Sequence, residues 1–420
     1  MHLRSCSTLY LLALAAEADA VCASVLIQLR GDGRTASGPL AQEAYVWQRL
    51  WTPPVTDAVR DASPQLHRLV ALAAEISWDT GGPRVAEADI DLSAMRPSFG
   101  LALRIGPSRP DAAKSTFVAD QAHAIVRRVP RVSELQIDFD CPESRLDGYC
   151  AWVRAIKERV APVPVIITAL PSWLDRPAFA ALARECDGYV LQVHSLHRPG
   201  VSSALCDPAE AQRAVETAGR LGIPFRVALP SYGYMAAFDR DGGMLAMWAE
   251  GPPPQLPADA QVRAIHADPA DMATLVRTWT ARRPAAMQGI IWYRLPVDDD
   301  ALNWRWCTLA AVMRGQTPAA DLQAIVKRSG EGLLEIALVN AGNADASLDV
   351  EAVLNWRDAQ RIAADGLGGF AHIAVGPSQL RFRPADGVVG QRLSPGQKRP
   401  IGWLRLDKDT EVHAYVRPTQ

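Results

Sequence analysis

Leu135-Gln136-Ile137-Asp138-Phe139-Asp140 is an apolar run that ends in two carboxylates at strand spacing. Side chains two apart on a strand leave the same face, so Gln136, Asp138 and Asp140 are expected to point into one space. Asp is disfavoured in strands and costly to bury unpaired, which makes chemistry a better reason than stability for a pair closing such a strand. Outward from this run, short apolar β-branched stretches alternate with helical patterns from about residue 44 to residue 296. Eight can be counted: 44–51, 69–78, 99–105, 135–140, 163–170, 188–196, 225–232 and 289–295. Between the fourth and fifth, Tyr149, Trp152, Val153, Ile156 and Val160 fall at helical spacing, and Pro162 ends that helix. Between the sixth and seventh, Asp207 is an N-cap for a helix stopping near Gly222. Repeated βα units of this number predict a closed (β/α)₈ barrel, class α/β. A doubly wound open sheet is the alternative, but no GxGxxG follows the first strand and no phosphate loop with GK[ST] is present.

After about residue 317 the pattern changes to short strand-like runs between turn residues, at 333–339, 348–356, 379–383, 401–406 and 412–416, which predicts a small all-β sandwich. The expected organisation is an N-terminal arm over 1–40, a barrel over 41–316 and the sandwich over 317–420. Within the arm, Arg4 precedes the apolar run Leu9 to Ala16. Ala18-Asp19-Ala20 or Val21-Cys22-Ala23 would serve as a cleavage site, so the segment reads either as an export signal or as an irregular arm of a cytoplasmic protein. No later segment approaches the roughly 18 uncharged apolar residues of a membrane span.

A hydrophobic share of 49% with 21% charged residues belongs to a chain that can bury a large core. The net charge of −2 supplies no field for a phosphate backbone, and no basic stripe interleaves with aromatics, so nucleic acid is not an expected partner. Seven scattered cysteines (Cys6, Cys22, Cys141, Cys150, Cys186, Cys206, Cys307) form neither a CxxC metal site nor a full disulfide framework.

Barrel chemistry sits at the C-terminal ends of the strands, and the polar and aromatic residues there converge. They are Trp47, Gln48 and Arg49 on the first strand, Glu75 on the second, Arg104 on the third, and Gln136, Asp138 and Asp140 on the fourth. Ser172 and Trp173 follow the fifth, Gln192 and His194 close the sixth, Tyr232 and Tyr234 follow the seventh, and Trp292, Tyr293 and Arg294 end the eighth. Glycosidic-bond chemistry needs one acid to protonate the leaving oxygen and one negative group facing the charge at the anomeric carbon. Two crowded carboxylates supply both, because they cannot both ionise easily. Asp140, nearer the mouth, is the expected proton donor, and Asp138 its charge partner. Arg49, Glu75, Arg104, Gln136, Trp173, Gln192, His194, Tyr232, Tyr234, Trp292 and Arg294 are expected to bind substrate, a carbohydrate polymer or oligosaccharide, with Trp292 as the floor. No cofactor or metal is expected.

The fourth strand resembles that of family 18 glycoside hydrolases, the chitinase-like barrels with the signature DxxDxDxE. Asp138 and Asp140 fall on its second and third acids, whereas Leu135 and Pro142 stand where that family has its first Asp and its proton-donating Glu; Glu143 is one residue late. The stretch 222–234, ending ALPSYGY, and Gly289-Ile290-Ile291-Trp292-Tyr293 resemble that family's seventh and eighth strand ends. VWQRLW, LQIDFD, ALPSWL, YVLQVH and ALPSYGY together resemble a bacterial barrel family designated domain of unknown function 3142. This resemblance implies the barrel fold and brings no reaction with it.

The same residues have plainer readings. Asp138 and Asp140 would also fit as salt-bridge partners of Arg49, Arg104 or Arg294, His194 as a lining residue, and Asp298-Asp299-Asp300 as a solvated loop. Two rival functions follow: a barrel that binds glycan without turnover, and a metal-dependent hydrolase built on Asp138, Asp140 and His194. His197 cannot join that set, because three-residue spacing puts it on the opposite face.

Overall fold

The computed structural model describes residues 35–95, 99–129, 131–194, 205–249, 254–300, 302–385 and 391–419. The export-signal reading, Cys6 and Cys22, and the end of the sixth run with Leu196 and His197 lie outside the described residues. The chain divides into two compact units between Asn303 and Trp304.

The first unit is a closed eight-stranded parallel barrel. Its strands are β1 (Ala41–Val46), β2 (Arg68–Asp79), β3 (Phe99–Ile105), β4 (Val132–Phe139), β5 (Val165–Ala169), β6 (Tyr189–Gln192), β7 (Phe225–Pro230) and β8 (Met287–Tyr293). Each pairs with its neighbour in chain order, and β8 pairs with β1 to close the ring. All eight sequence runs are strands of this barrel. Helices α1 (Pro53–Ala62), α2 (Ala112–Arg128), α3 (Leu146–Val160), α4 (Pro177–Glu185), α5 (Pro208–Arg220) and α6 (Pro269–Ala281) connect them. A strand, Gly82–Glu87, returning antiparallel to β2, lies on the way from β2 to β3.

Local chemistry explains these boundaries. Asp207 Oδ1 accepts from the backbone N–H of Ala209 (2.8 Å) and Glu210 (2.9 Å), and Pro208 presets the first helical φ, so α5 starts where the sequence predicts. Helix α3 buries Tyr149, Trp152, Val153, Ile156 and Val160, the apolar stripe read from their spacing.

Inside the barrel, Tyr45, Trp47, Val70, Leu72, Ala102, Ile166, Val190, Ala228 and Ile291 form one buried cluster with Tyr293 packed against it. Below it the filling is ionic. Arg226 Nη1 is 2.5 Å from Glu43 Oε2 and its Nη2 is 2.8 Å from Glu134 Oε1, with Arg68 on the other Glu134 oxygen. Gln136 donates to Glu134 (2.6 Å) and accepts from the Tyr45 hydroxyl (2.6 Å). Every polar group named in this layer has a partner, which is the condition for burying charge in a barrel centre.

The second unit opens with helix α7 (Trp306–Met313) and continues as two four-stranded antiparallel sheets. One runs 322–330, 333–340, 398–406, 361–366, the other 370–376, 379–384, 350–356, 412–418. Their inner faces supply Leu334, Ile336, Leu338, Leu354, Trp356, Phe382, Ile401 and Leu404 to one core, the all-β sandwich expected from the strand and turn pattern.

Candidate active site

Asp138, the last inward residue of β4, and Asp140, just past its end, both line a cavity of about 540 Å³ at the C-terminal mouth of the barrel. The wall also includes Tyr45, Trp47, Arg104, Thr168, Ser172, Gln192, His194, Tyr232, Tyr234 and Tyr293. Asp138 is buried, and Asp140 is exposed. The Asp140 side chain makes no hydrogen bond or ion pair with any described residue.

Three groups hold Asp138. Thr168 Oγ1 donates to its Oδ1 at 3.0 Å, Gln192 Nε2 approaches the same oxygen at 3.4 Å, and Arg104 Nη1 lies 3.8 Å from Oδ2. Burial pushes the Asp138 carboxyl up to about 6, and the negative charge of Asp140 adds to the rise. Arg104, Thr168 and Gln192 pull it back without cancelling the burial. The crowding argument expected Asp140 to hold the proton. Burial falls on Asp138 instead, because β4 ends before Asp140 and leaves that side chain in solvent.

The aromatic wall is continuous. Tyr293 meets Trp47 (ring centroids 5.2 Å), Tyr232 (5.1 Å) and His194, the last nearly stacked at 5.6 Å and 21°. Tyr232 and Tyr234 share a 2.6 Å hydrogen bond between hydroxyls. Burial drives the His194 imidazole down to about 4, so the ring is neutral at ordinary pH. Its Nε2 is buried without a hydrogen-bond partner among the described residues.

A second cleft of about 830 Å³ adjoins the first and shares Trp47, Arg104, Tyr232, Tyr234 and Tyr293 with it. Arg49 and Glu75 lie there as an ion pair, as does Arg294, whose Nη2 is 2.6 Å from Asp300 Oδ2. Both guanidinium groups are thereby engaged, and among the described residues only Arg104 reaches the aspartate pair. Asp300 is correspondingly more than part of a solvated loop. Glu75 faces the cleft because a register shift between Leu72 and Ala74 turns the end of β2, bringing Glu75 opposite Arg104.

Three expected substrate contacts are placed elsewhere. Trp292 is fully buried on the outer face of β8, where its Nε1 donates to Gln42 (2.8 Å), because Ile291 and Tyr293 occupy the inner phase. Trp173 sits in a 3₁₀ turn that carries it away from the cavity, and its ring lies near Tyr149 (6.4 Å) and Phe179 (6.0 Å). Gln136 faces inward as expected but is spent in the layer beneath Asp138. Tyr45 and Thr168 went unread. Thr168 is the one polar residue in the apolar run Val165–Ala169, and Tyr45 precedes Trp47 by one strand period.

Met247 and Trp248 come from a part of the chain that the strand reading passed over. After β7, Gly233–Phe238, Met244–Trp248 and Gln261–His266 form a three-stranded antiparallel sheet, with Met247 lining the first cavity and Trp248 the second. Asp241-Gly242, with Gly242 at φ 82°, is the turn signal that marks its first hairpin. Glu143 lies in a short 3₁₀ turn, where its Oε2 is 2.7 Å from Arg176 Nε and 2.6 Å from Nη2, and it is not part of the cavity wall. Asp138, Asp140 and His194 do not form a metal-ligand group, and no cluster of three or more His, Cys, Asp or Glu suited to a metal occurs among the described residues.

The match to known families follows this geometry. Residues 109–298 match the family model DUF3142, described as a domain of unknown function. The DUF3142 region spans β4 to β8 and so carries both aspartates, and residues 323–407 match a second family, Domain of unknown function (DUF8456). No curated protein matches. Among solved structures, the Bacillus cereus spore cortex-lytic enzyme SleL is 13% identical with a TM-score of 0.46, over 67% of this chain and 75% of its own. A family GH18 chitinase from Chromobacterium violaceum is 11% identical with a TM-score of 0.39, over 90% and 91%. A glycoside hydrolase family 5 protein from Bacteroides vulgatus is 10% identical with a TM-score of 0.36, over 87% and 88%.

Proposed function

We propose that this protein hydrolyses glycosidic bonds in a polysaccharide, with Asp138 as proton donor and Asp140 as the negative partner. The observation that carries this reading is the division of labour between two neighbouring carboxyls in one aromatic-lined cavity. One is buried and pushed up to about 6, and the other is open to solvent. Asp138 gives its proton to the bridging oxygen as the bond to the anomeric carbon breaks. The Asp140 carboxylate faces the positive charge that develops there, and water adds to that carbon, its hydroxyl completing the new reducing end while its other proton restores Asp138. The faces of Trp47 and Tyr293 suit the apolar faces of sugar rings. The adjoining cleft extends the groove beyond a single sugar, which favours a polymer or an oligosaccharide over a monosaccharide glycoside.

One observation favours a second reading, a barrel that binds glycan without cutting it. Glu143, the acid nearest to the chitinase-like proton-donor position, is engaged by Arg176 outside the cavity. Incubation of the full chain with a panel of bacterial and plant polysaccharides separates the two. New reducing ends that vanish in Asp138→Asn, with the fold intact, support hydrolysis. Glycan that is retained uncut by wild type supports the second reading.

A further inference from the structure

We propose that Thr168 and Gln192 are positioning residues that decide which oxygen of Asp138 carries the transferable proton: both hold Oδ1, so the hydrogen resides on Oδ2. The inference goes beyond the hydrolytic reading and rests on it only in taking Asp138 as the donor. Thr168 Oγ1 lies 3.0 Å from Oδ1, and Gln192 Nε2, which can only donate, lies 3.4 Å from the same atom. The Thr168 hydroxyl is itself oriented, because the Phe139 backbone N–H donates to it at 3.4 Å. Of the acceptors left to its hydrogen, Asp138 Oδ1 at 3.0 Å is nearer than the Ile137 carbonyl at 3.5 Å. A proton on Oδ1 would face two hydrogens already aimed at that oxygen. Among the described residues Oδ2 has only Arg104 beside it, 3.8 Å away and without a hydrogen bond, so it accommodates the proton.

The strands dictate this arrangement. Thr168 and Gln192 stand at the inward C-terminal positions of β5 and β6, and Asp138 at that of β4, so three consecutive strands deliver one carboxyl and its two donors to one side. Among the described residues, the other charged or titratable groups around Asp138 are Arg104 on β3, Asp140 beyond β4, Tyr45 on β1, Tyr293 on β8 and Tyr149 of α3, with Glu75 of β2 behind Arg104 and the neutral His194 lining the same cavity. None of these is altered by substituting Thr168 or Gln192.

The test is carboxyl-¹³C aspartate NMR of the full chain, with the Asp138 resonance assigned by its loss in Asp138→Asn. Donors to a carboxylate favour the charged form, so Thr168→Val should raise the Asp138 titration midpoint by about half a unit or more, and Thr168→Ser should restore it. Gln192→Leu should shift it the same way from a different strand, which keeps the test open if the valine variant does not fold. Where a glycan is cut, kcat in Thr168→Val should fall about tenfold at unchanged KM, and the alkaline limb of the pH profile should move up with the midpoint. An unshifted midpoint in both Thr168→Val and Gln192→Leu overturns the assignment even if hydrolysis is established. A shifted midpoint in a protein that cuts no glycan leaves the positioning intact and removes the hydrolytic reading instead.

Discussion

At the scale of single residues, the site is organised by where β4 stops. Asp138 is the last inward side chain before the strand ends, so it is buried; Asp140 is past the end, so it is wet. The pair was legible because two aspartates at strand spacing are rare in an apolar run, but burial differs by one turn of backbone that no residue spacing encodes. A consequence for stability follows. With the folded carboxyl at about 6 against an ordinary 3.8, the native state binds a proton that the unfolded chain releases, so Asp138 favours folding fully below about pH 4 and loses that contribution as pH rises through 6. Asp138→Asn should therefore stabilise the protein at pH 7 by up to about 3 kcal/mol and change it little at pH 4. Thermal melts of both proteins at the two pH values check this, and an equal effect at both would contradict it.

At the scale of elements, every barrel strand was readable, because parallel strands buried on both faces appear as continuous apolar runs. The same property hid their phase. Gly289-Ile290-Ile291-Trp292-Tyr293 is apolar on both faces, so nothing in it says that Ile291 and Tyr293 turn inward and Trp292 outward. A slip of one residue reverses every side chain. In the sandwich, strands 322–330, 361–366 and 370–376 went unread, and all three are sheet edges with one face largely in solvent, where the apolar pattern is weakest. The ionic layer of the barrel ties β1, β4 and β7 through Arg226. Replacing Arg226 with Met should cost about 3–5 kcal/mol, because it leaves Glu43 and Glu134 buried beside each other without their shared cation. Urea unfolding measures this, and a loss below 1 kcal/mol would mean that the layer is dispensable.

At the scale of the whole molecule, two units with separate cores are joined in one chain. The second has its own closed set of inward residues from both sheets, so residues 304–420 produced alone should fold and melt in a single cooperative transition by calorimetry. A broad or absent transition would show that its core is insufficient by itself. No helix among the described residues is long and apolar enough to cross a membrane. The two adjoining clefts at the barrel mouth leave room for a chain of sugars, and the function proposed for them depends on Asp138 being protonated when the bond breaks. The most direct test is the pH dependence of reducing-end release by the full chain from a polysaccharide it cuts. The rate should fall as pH rises through about 6, in step with Asp138 losing its proton, and Asp138→Asn should be inactive throughout. A rate that climbs through pH 6, or turnover that persists in Asp138→Asn, would contradict the assignment of this carboxyl as the acid.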